Sequence, residues 1–298
     1  LVHIKILKTV MIKIAIFVIK YKTIKEVMMK RVALINDVTG YSRCSVAIQL
    51  PLISALGVEC VFVPTAILSV NTYHPEYYFD DYTDRMADYI LTYKKMNVEF
   101  DGIVTGFLGS DKQIDIVIDF FKTFKKKNTF VLVDPVMGDH GKLYPTYTKK
   151  MQDKMRELIP YATIITPNLT ELCALLEEEY LGNNIDFDKI EQMCQRLSQL
   201  GPEKIVVTGI NVEDKIVNFA YEKNRGAKLI KVKRIGEDRS GTGDLISGII
   251  AGSYANGMDF YQCVQKAADF ACKCIDYSQK IGAHNHLRSE EHTSELQS

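Results

Sequence analysis

The amino-acid sequence predicts an α/β protein, a three-layer α/β/α sandwich around a mainly parallel central sheet. Three observations lead there. From residue 31 onward, short apolar runs alternate with segments of helical periodicity, the pattern of strands covered on both faces by helices. Two later runs, 215–221 and 228–233, read as a β-hairpin in the C-terminal third. No repeat, low-complexity linker or composition shift divides the chain into further domains.

The elements follow in order. Residues 32–35 form the first buried strand. Residues 44–56 are helical in pattern, and Gly57 ends that helix. Residues 58–63 are a second strand. Pro75 opens a longer helix reaching about residue 96. Residues 103–105 are strand, and Ser110 caps a helix whose Ile114, Val117, Ile118 and Phe121 share one face. Residues 130–133, 163–165 and 205–207 are three more buried strands. Asn224-Arg225-Gly226 turns the hairpin, and two helices, about 243–255 and 259–277, close the chain.

At 298 residues, with 47% hydrophobic and 25% charged, the chain suits one large domain with a sizeable core. A formal net charge of zero argues against nucleic acid or an anionic membrane surface as partner. Seven cysteines, an odd count without a CxxC pair, fit a reduced cytoplasmic protein with buried thiols. Cys272 and Cys274 lack the further ligands of a zinc site.

Both ends look foreign. Residues 1–30 hold seven Ile and seven Lys and no stretch able to span a bilayer; they read as translated upstream DNA, with the start at Met28 or Met29. Residues 288–298, RSEEHTSELQS, resemble a translated sequencing adapter. The domain proper is then 31–287, mildly acidic once both segments are set aside.

Strand ends are where ligands collect in such sheets. The sharpest motif is Gly241-Thr242-Gly243-Asp244, followed by the apolar run 245–250. Its glycines free the backbone to pass close to a ligand, and the N–H groups of a helix start favour negative charge. Asp244 in the first turn suits a base that accepts a hydroxyl proton; by itself the tetrapeptide equally fits a glycine turn with a capping Asp. Asp134-Pro135-Val136-Met137-Gly138-Asp139 follows a strand, and its two carboxylates suit Mg²⁺ held through water with nucleotide phosphates. Residues 142–144 then suit a closing flap around Tyr144. In Thr166-Pro167-Asn168-Leu169-Thr170-Glu171, either Asn168 or Thr170 caps the next helix, and Glu171 reaches toward metal-bound water. Neither GxxxxGK[ST] nor a GxGxxG after the first strand occurs, which disfavours a P-loop or a dinucleotide fold.

DPVMGD, TPN-x-x-E and GTGD in this order resemble the ribokinase superfamily over roughly residues 31–280, and DPVMGD-x-G-x-LY resembles its pyridoxal kinase branch. The resemblance implies a ribokinase-like fold and ATP- and Mg²⁺-dependent phosphorylation of the 5′-hydroxyl of pyridoxal, pyridoxamine or pyridoxine. It implies Asp244 as base and Gly241, Thr242 and Gly243 as anion hole. Asp134, Asp139, Tyr144, Thr166, Asn168, Glu171 and Thr208 fall on the nucleotide side, Asp139 and Glu171 nearest the metal. A monovalent cation such as K⁺ and a homodimer belong to the same expectation. On the substrate side, Leu68-Ser69-Val70-Asn71-Thr72 resembles an LSNHT-like stretch that places Thr72 near the pyridine ring. Phe107 stands where the family has Tyr, and Asn36 or Asp37 meets the ring substituents. Hydroxymethylpyrimidine kinase is the neighbouring alternative, although TGYSRCS replaces that branch's GGAGIQAD-like stretch. A non-catalytic vitamin B6-binding protein of this fold is the alternative of another class; it would be expected to lose the base or the glycines.

Overall fold

The computed structural model describes residues 29–281, apart from 73, 145–146, 183–184 and 237–238. Of the two segments expected to be foreign, residues 1–28 and 288–298 lie outside the described residues, whereas Lys30 is described and pairs with Asp101 at 2.9 Å. Among the described residues, no helix is long and apolar enough to cross a membrane.

The strands are β1 (Arg31–Tyr41), β2 (Glu59–Val70), β3 (Phe79–Asp81), β4 (Gly102–Thr105), β5 (Phe130–Val133), β6 (Gly138–Asp139), β7 (Lys142–Leu143), β8 (Ile164–Ile165), β9 (Lys204–Val212), β10 (Lys215–Glu222) and β11 (Gly226–Lys233). Nine of them form one sheet in the order β11-β10-β9-β8-β5-β4-β1-β2-β3, and β6 and β7 make a separate small hairpin. The six central strands from β9 to β2 are parallel; β3 at one edge and β10 and β11 at the other run antiparallel. The α/β/α sandwich and the C-terminal hairpin are therefore as expected.

Each central strand sends alternate side chains to opposite faces. Ala33, Ile35, Val131, Val133, Ile165 and Val207 meet the helices α2 (Thr83–Lys95), α3 (Asp111–Phe124), α4 (Lys149–Arg156), α5 (Leu169–Leu176) and α6 (Phe187–Gln199). Val32, Leu34, Leu132, Ile164 and Val206 meet α1 (Val46–Ala55), α7 (Thr242–Ala255) and α8 (Phe260–Lys280). Burial of each such Val, Leu or Ile stabilises the fold by roughly 1.5–3 kcal/mol before entropy is subtracted. Helices α1 and α7 approach closely through glycines: a Cβ on Gly248 would lie 3.3 Å from Gln49 Cα, and one on Gly252 would lie 2.7 Å from Leu56 Cδ1.

Two segments differ from expectation. Residues 36–41, read as a loop, continue β1 and pair with β2 through Val38, Thr39 and Tyr41 after a register shift between Asn36 and Val38 whose extra residue lies in β2. Residues 75–82 are not helical. Residues 79–81 return antiparallel along β2, with Leu68 opposite Phe79 and Ala66 opposite Asp81. Helix α2 starts only at Thr83, whose N–H donates to Asp81 Oδ1 at 2.8 Å.

Candidate active site

The carboxyl ends of β1, β4, β5, β8 and β9 and the start of α7 form one polar rim, and most of the motif residues lie on it. Asp134 follows β5, Thr166 and Asn168 follow β8, Phe107 follows β4, and Thr208 lies in β9 paired with Asn168. Asp139 is on the β6–β7 hairpin and Tyr144 just after it. Thr72 is exposed in the turn after β2.

Gly241 is the N-cap of α7 and takes φ +83°, the left-handed region that glycine enters freely. A Cβ there would also lie 2.3 Å from Ile48 Cδ1. The turn delivers Thr242, Gly243 and Asp244 as the first helical residues, whose N–H groups have no partner within the helix. Thr242 Oγ1 ties the turn down by donating to Arg239 O at 2.8 Å. Asp244, half-buried, accepts the Ser45 N–H on Oδ2 at 2.8 Å and faces Asn36 Nδ2 from Oδ1 at 3.4 Å. Burial, followed by the nearby carboxylates Asp134 and Asp37, raises its pKa to about 8.

Asp134 and Glu171 are buried at 7% and 5% exposure, and burial pushes both upward, Glu171 also through the charge of Asp134. Glu171 belongs to the capping box of α5. Its Oε2 accepts the Asn168 N–H at 2.8 Å, and Asn168 Oδ1 accepts the Glu171 N–H at 2.9 Å. Glu171 Oε1 accepts the Met137 N–H at 3.0 Å, so the same side chain anchors the segment after β5. Asn168 Nδ2 donates to Gly138 O at 2.8 Å, and Gly141 N–H donates to Thr170 Oγ1 at 2.8 Å. The small hairpin expected as a flap is thus pinned along its length to the first turn of α5. Tyr144, 43% exposed beside it, has its phenol pushed upward by partial burial and by Glu171, Asp139, Asp134 and Asp244.

Two outcomes are expected from this acidic cluster. Glu171→Ala strips the buried Met137 amide and the partly buried Asn168 amide of their acceptor and should destabilise the fold by roughly 1–3 kcal/mol in urea unfolding. The second concerns pH. Asp244, Asp134, Glu171 and Asp37 hold their protons more tightly folded than unfolded. Between the ordinary carboxyl range and about pH 8 the folded state therefore binds more protons, and stability falls as pH rises. Asp259, held down by Arg225, and Asp111, held down by Lys150, titrate below this window. The melting temperature of the ligand-free protein should be higher near pH 5 than near pH 8.5, with a flatter slope in Asp244→Asn.

On the substrate side the residues are less uniform. Asp37 is buried at 4%, accepts from Thr39 Oγ1 at 2.6 Å, and is pushed upward by burial. Asn36 is 0% exposed, with its carboxamide engaged by protein groups, so Asp37 is the better placed of the two to meet a ligand after a small opening. Phe107 is half-buried against the core, and its carbonyl accepts from Thr65 Oγ1 at 2.9 Å. The Thr105 hydroxyl, at the end of β4 one strand from Asp134, is buried and makes no hydrogen bond within the protein. Ser45, Gln49 and Ser247 also bear on Asp244, and the sequence motifs pass over them. The signal for two of them was a single polar residue inside an apolar run, Gln49 in 46–53 and Ser247 in 245–250.

A cavity of about 630 Å³ lies elsewhere, between the ends of α1 and α7 and the start of α8, lined by Leu56, Ser253, Asn256 and Lys266 among others. It contains none of the motif residues. The polar rim, by contrast, is an open face above the strand ends.

Among the described residues no disulfide links the cysteines. Among the described residues, no three His, Cys, Asp or Glu side chains converge on a common point as a metal cage.

Residues 49–288 match the phosphomethylpyrimidine kinase family model. A candidate phosphomethylpyrimidine kinase from Bacteroides thetaiotaomicron, solved with pyridoxal, is 32% identical with a TM-score of 0.87, over 91% of this chain and 96% of its own. Pyridoxal kinase from Lactobacillus plantarum has the same fold at a TM-score of 0.83 and 20% identity, over 91% and 96% of the two chains. Pyridoxal kinase from Arabidopsis thaliana is 30% identical over 186 residues, 58% of this chain and 56% of its own. The chain spans about half the length of the curated relatives it matches. The fold, the strand-end motifs and these matches converge on one statement: the chain belongs to the phosphomethylpyrimidine kinase family, among the ribokinase-like proteins that include the pyridoxal kinases.

Proposed function

We propose that this chain transfers the γ-phosphoryl group of ATP to the 5′-hydroxyl of pyridoxal, pyridoxamine or pyridoxine. The observation that carries the reading is Asp244, held by the Ser45 amide at the start of α7 beside a glycine turn whose first helical N–H groups have no partner within the helix. A primary alcohol stays protonated at neutral pH, so a carboxylate within reach need only accept the proton as the bond to phosphorus forms. The N–H groups of Thr242 and Gly243 supply donors for the phosphoryl oxygens at the positive end of the helix.

ATP supplies the phosphoryl group, and Mg²⁺ offsets the charge of its phosphates. The residues fit such a cation. Asp134 raises the proton affinity of both Glu171 and Asp244, as a carboxylate does when no positive charge lies between. Mg²⁺ needs only one or two protein carboxylates along with water and phosphate, so a three-residue cage is not required. Asp139, half exposed on the hairpin, and Glu171 are the proposed neighbours of the metal. Asp134, Thr166, Asn168 and Thr208 border the nucleotide side, with Tyr144 covering it. Asp37, Thr72 and Phe107 border the alcohol side.

The pyridoxal bound to the Bacteroides thetaiotaomicron relative supports a B6 vitamer as substrate. The family model's own description supports a second reading, phosphorylation of hydroxymethylpyrimidine with the same machinery. The test is release of ADP that depends on pyridoxal and Mg²⁺, with the product identified as the 5′-phosphomonoester by ³¹P NMR. ADP release indifferent to the alcohol would remove the proposal. With a base whose pKa is about 8 in the empty site, kcat/KM should rise with pH up to about 8 and level off.

A further inference from the structure

Three polar side chains lie wholly buried between the sheet, α1 and α7: Asn36, Gln49 and Ser247, each at 0% exposure. Asn36 Oδ1 accepts the backbone N–H of Asp37 at 2.9 Å and of Phe107 at 2.8 Å. These two donors fix which way the carboxamide points, so Nδ2 must face the other side. There it donates to Gln49 Oε1 at 2.9 Å and faces Asp244 Oδ1 at 3.4 Å. Gln49 Nε2 donates to Ser247 Oγ at 2.8 Å, and Ser247 Oγ donates to Gly243 O at 3.0 Å. The chain of bonds starts at the Asp244 carboxylate and returns to the carbonyl of the preceding residue. Space is reserved for it: a Cβ on Gly106 would lie 2.3 Å from Asn36 Nδ2.

The second carboxylate oxygen is held from the opposite direction. Ser45 donates its N–H to Asp244 while taking φ 56° and ψ −128°, a region that residues with a side chain rarely occupy. Strain of this kind persists where surrounding contacts over-determine it. A closed hydrogen-bond loop and a strained amide thus grip the same carboxylate.

We propose that Gln49 is a positioning residue. Through Asn36 and Ser247 it holds the Asp244 carboxylate and the Gly243 peptide in fixed relation, although it touches neither ligand. The proposal rests on the kinase reading for its kinetic consequence. A misplaced reacting group slows turnover without weakening ground-state binding. In Gln49→Met, of similar length but unable to hydrogen-bond, kcat should fall about 10- to 100-fold. KM for ATP and for the alcohol should stay within about threefold. Ile53→Val, a buried change on the same helix away from the loop, lowers the melting temperature but leaves kcat unchanged, which separates positioning from stability.

A second readout does not need turnover. The Ser45 amide proton, bonded to Asp244, reports that carboxyl's titration by NMR in the full chain. Asp134 and Asp37 are the charged groups that act on it, and Cys44 is the titratable group beside them. Gln49→Met takes away the other acceptor of Asn36 Nδ2, so the 3.4 Å contact of that group with Asp244 must readjust and the midpoint should shift. An unchanged kcat, or an unchanged Ser45 titration, would overturn the proposal. If the wild-type protein phosphorylates neither B6 vitamers nor hydroxymethylpyrimidine, the kinase reading fails, and the Ser45 titration alone decides the role of Gln49.

Discussion

Asp244→Asn will lower kcat by about 10²–10⁴, with ATP affinity within a few-fold of wild type. The substitution keeps size and removes the proton acceptor. Its oxygen still accepts the Ser45 N–H, and its new NH₂ group faces Asn36 Nδ2, so one weak contact becomes donor against donor. That local mismatch is small beside the relief of a buried charge: Asp244 sits among Asp134 and Asp37, whose repulsion contributes to its raised pKa. The variant should therefore melt no lower than wild type at pH 8, and higher if the relief dominates. Loss of activity together with retained stability and retained ATP binding, by calorimetry, is the signature of a missing base. Loss of ATP binding instead would move Asp244 from proton acceptor to nucleotide ligand.

Gly243→Ala will lower kcat by roughly 10²–10³ without destabilising the protein. Nothing lies within 4 Å of a Cβ built on Gly243, and its φ is not left-handed. The fold therefore gives no reason for glycine there, and Ala in the first turn should add a few tenths to about 1 kcal/mol of stability through helix propensity. The reason proposed is outside the protein: the open space beside the N–H is where phosphoryl oxygens come within hydrogen-bond reach. Gly241→Ala gives the contrast. It forces a side chain into φ +83° and against Ile48, so it should lose stability as well as activity. A Gly243→Ala enzyme as active as wild type would leave the anion cradle to Thr242 and Gly241 alone.

The central layer of the fold was legible because each buried strand is a short apolar run with two neighbours, as in residues 130–133. The same criterion failed where a strand has one neighbour. Beyond Ile35, β1 loses β4, which ends at Thr105, and continues against β2 only. Its residues 36–41 are therefore polar or half-covered and read as a loop. Residues 79–81 were hidden by Pro75, a common helix opener that here precedes an edge strand held by pairing with β2. The GTGD turn and the acidic strand ends were legible because their chemistry is contiguous in sequence. Gln49 was not, since its partner Ser247 is 198 positions away and only folding brings them to 2.8 Å. Glu171 was legible in part: its residue type suggested metal chemistry, whereas its two backbone contacts, which bind α5 to the segment after β5, depend on the tertiary fold.

The central proposal is that the open face above the strand ends is an alcohol kinase site that takes a B6 vitamer. The most direct test is a one-pot competition between pyridoxal and hydroxymethylpyrimidine, with ATP and Mg²⁺, using the full chain. The ratio of the two phosphorylated products gives the ratio of kcat/KM values directly. 5′-Phosphorylated pyridoxal should dominate, and Asp244→Asn should lower both products in parallel. Dominant hydroxymethylpyrimidine phosphate would contradict the substrate assignment while leaving the base in place. Product formation undiminished in Asp244→Asn would contradict the mechanism itself.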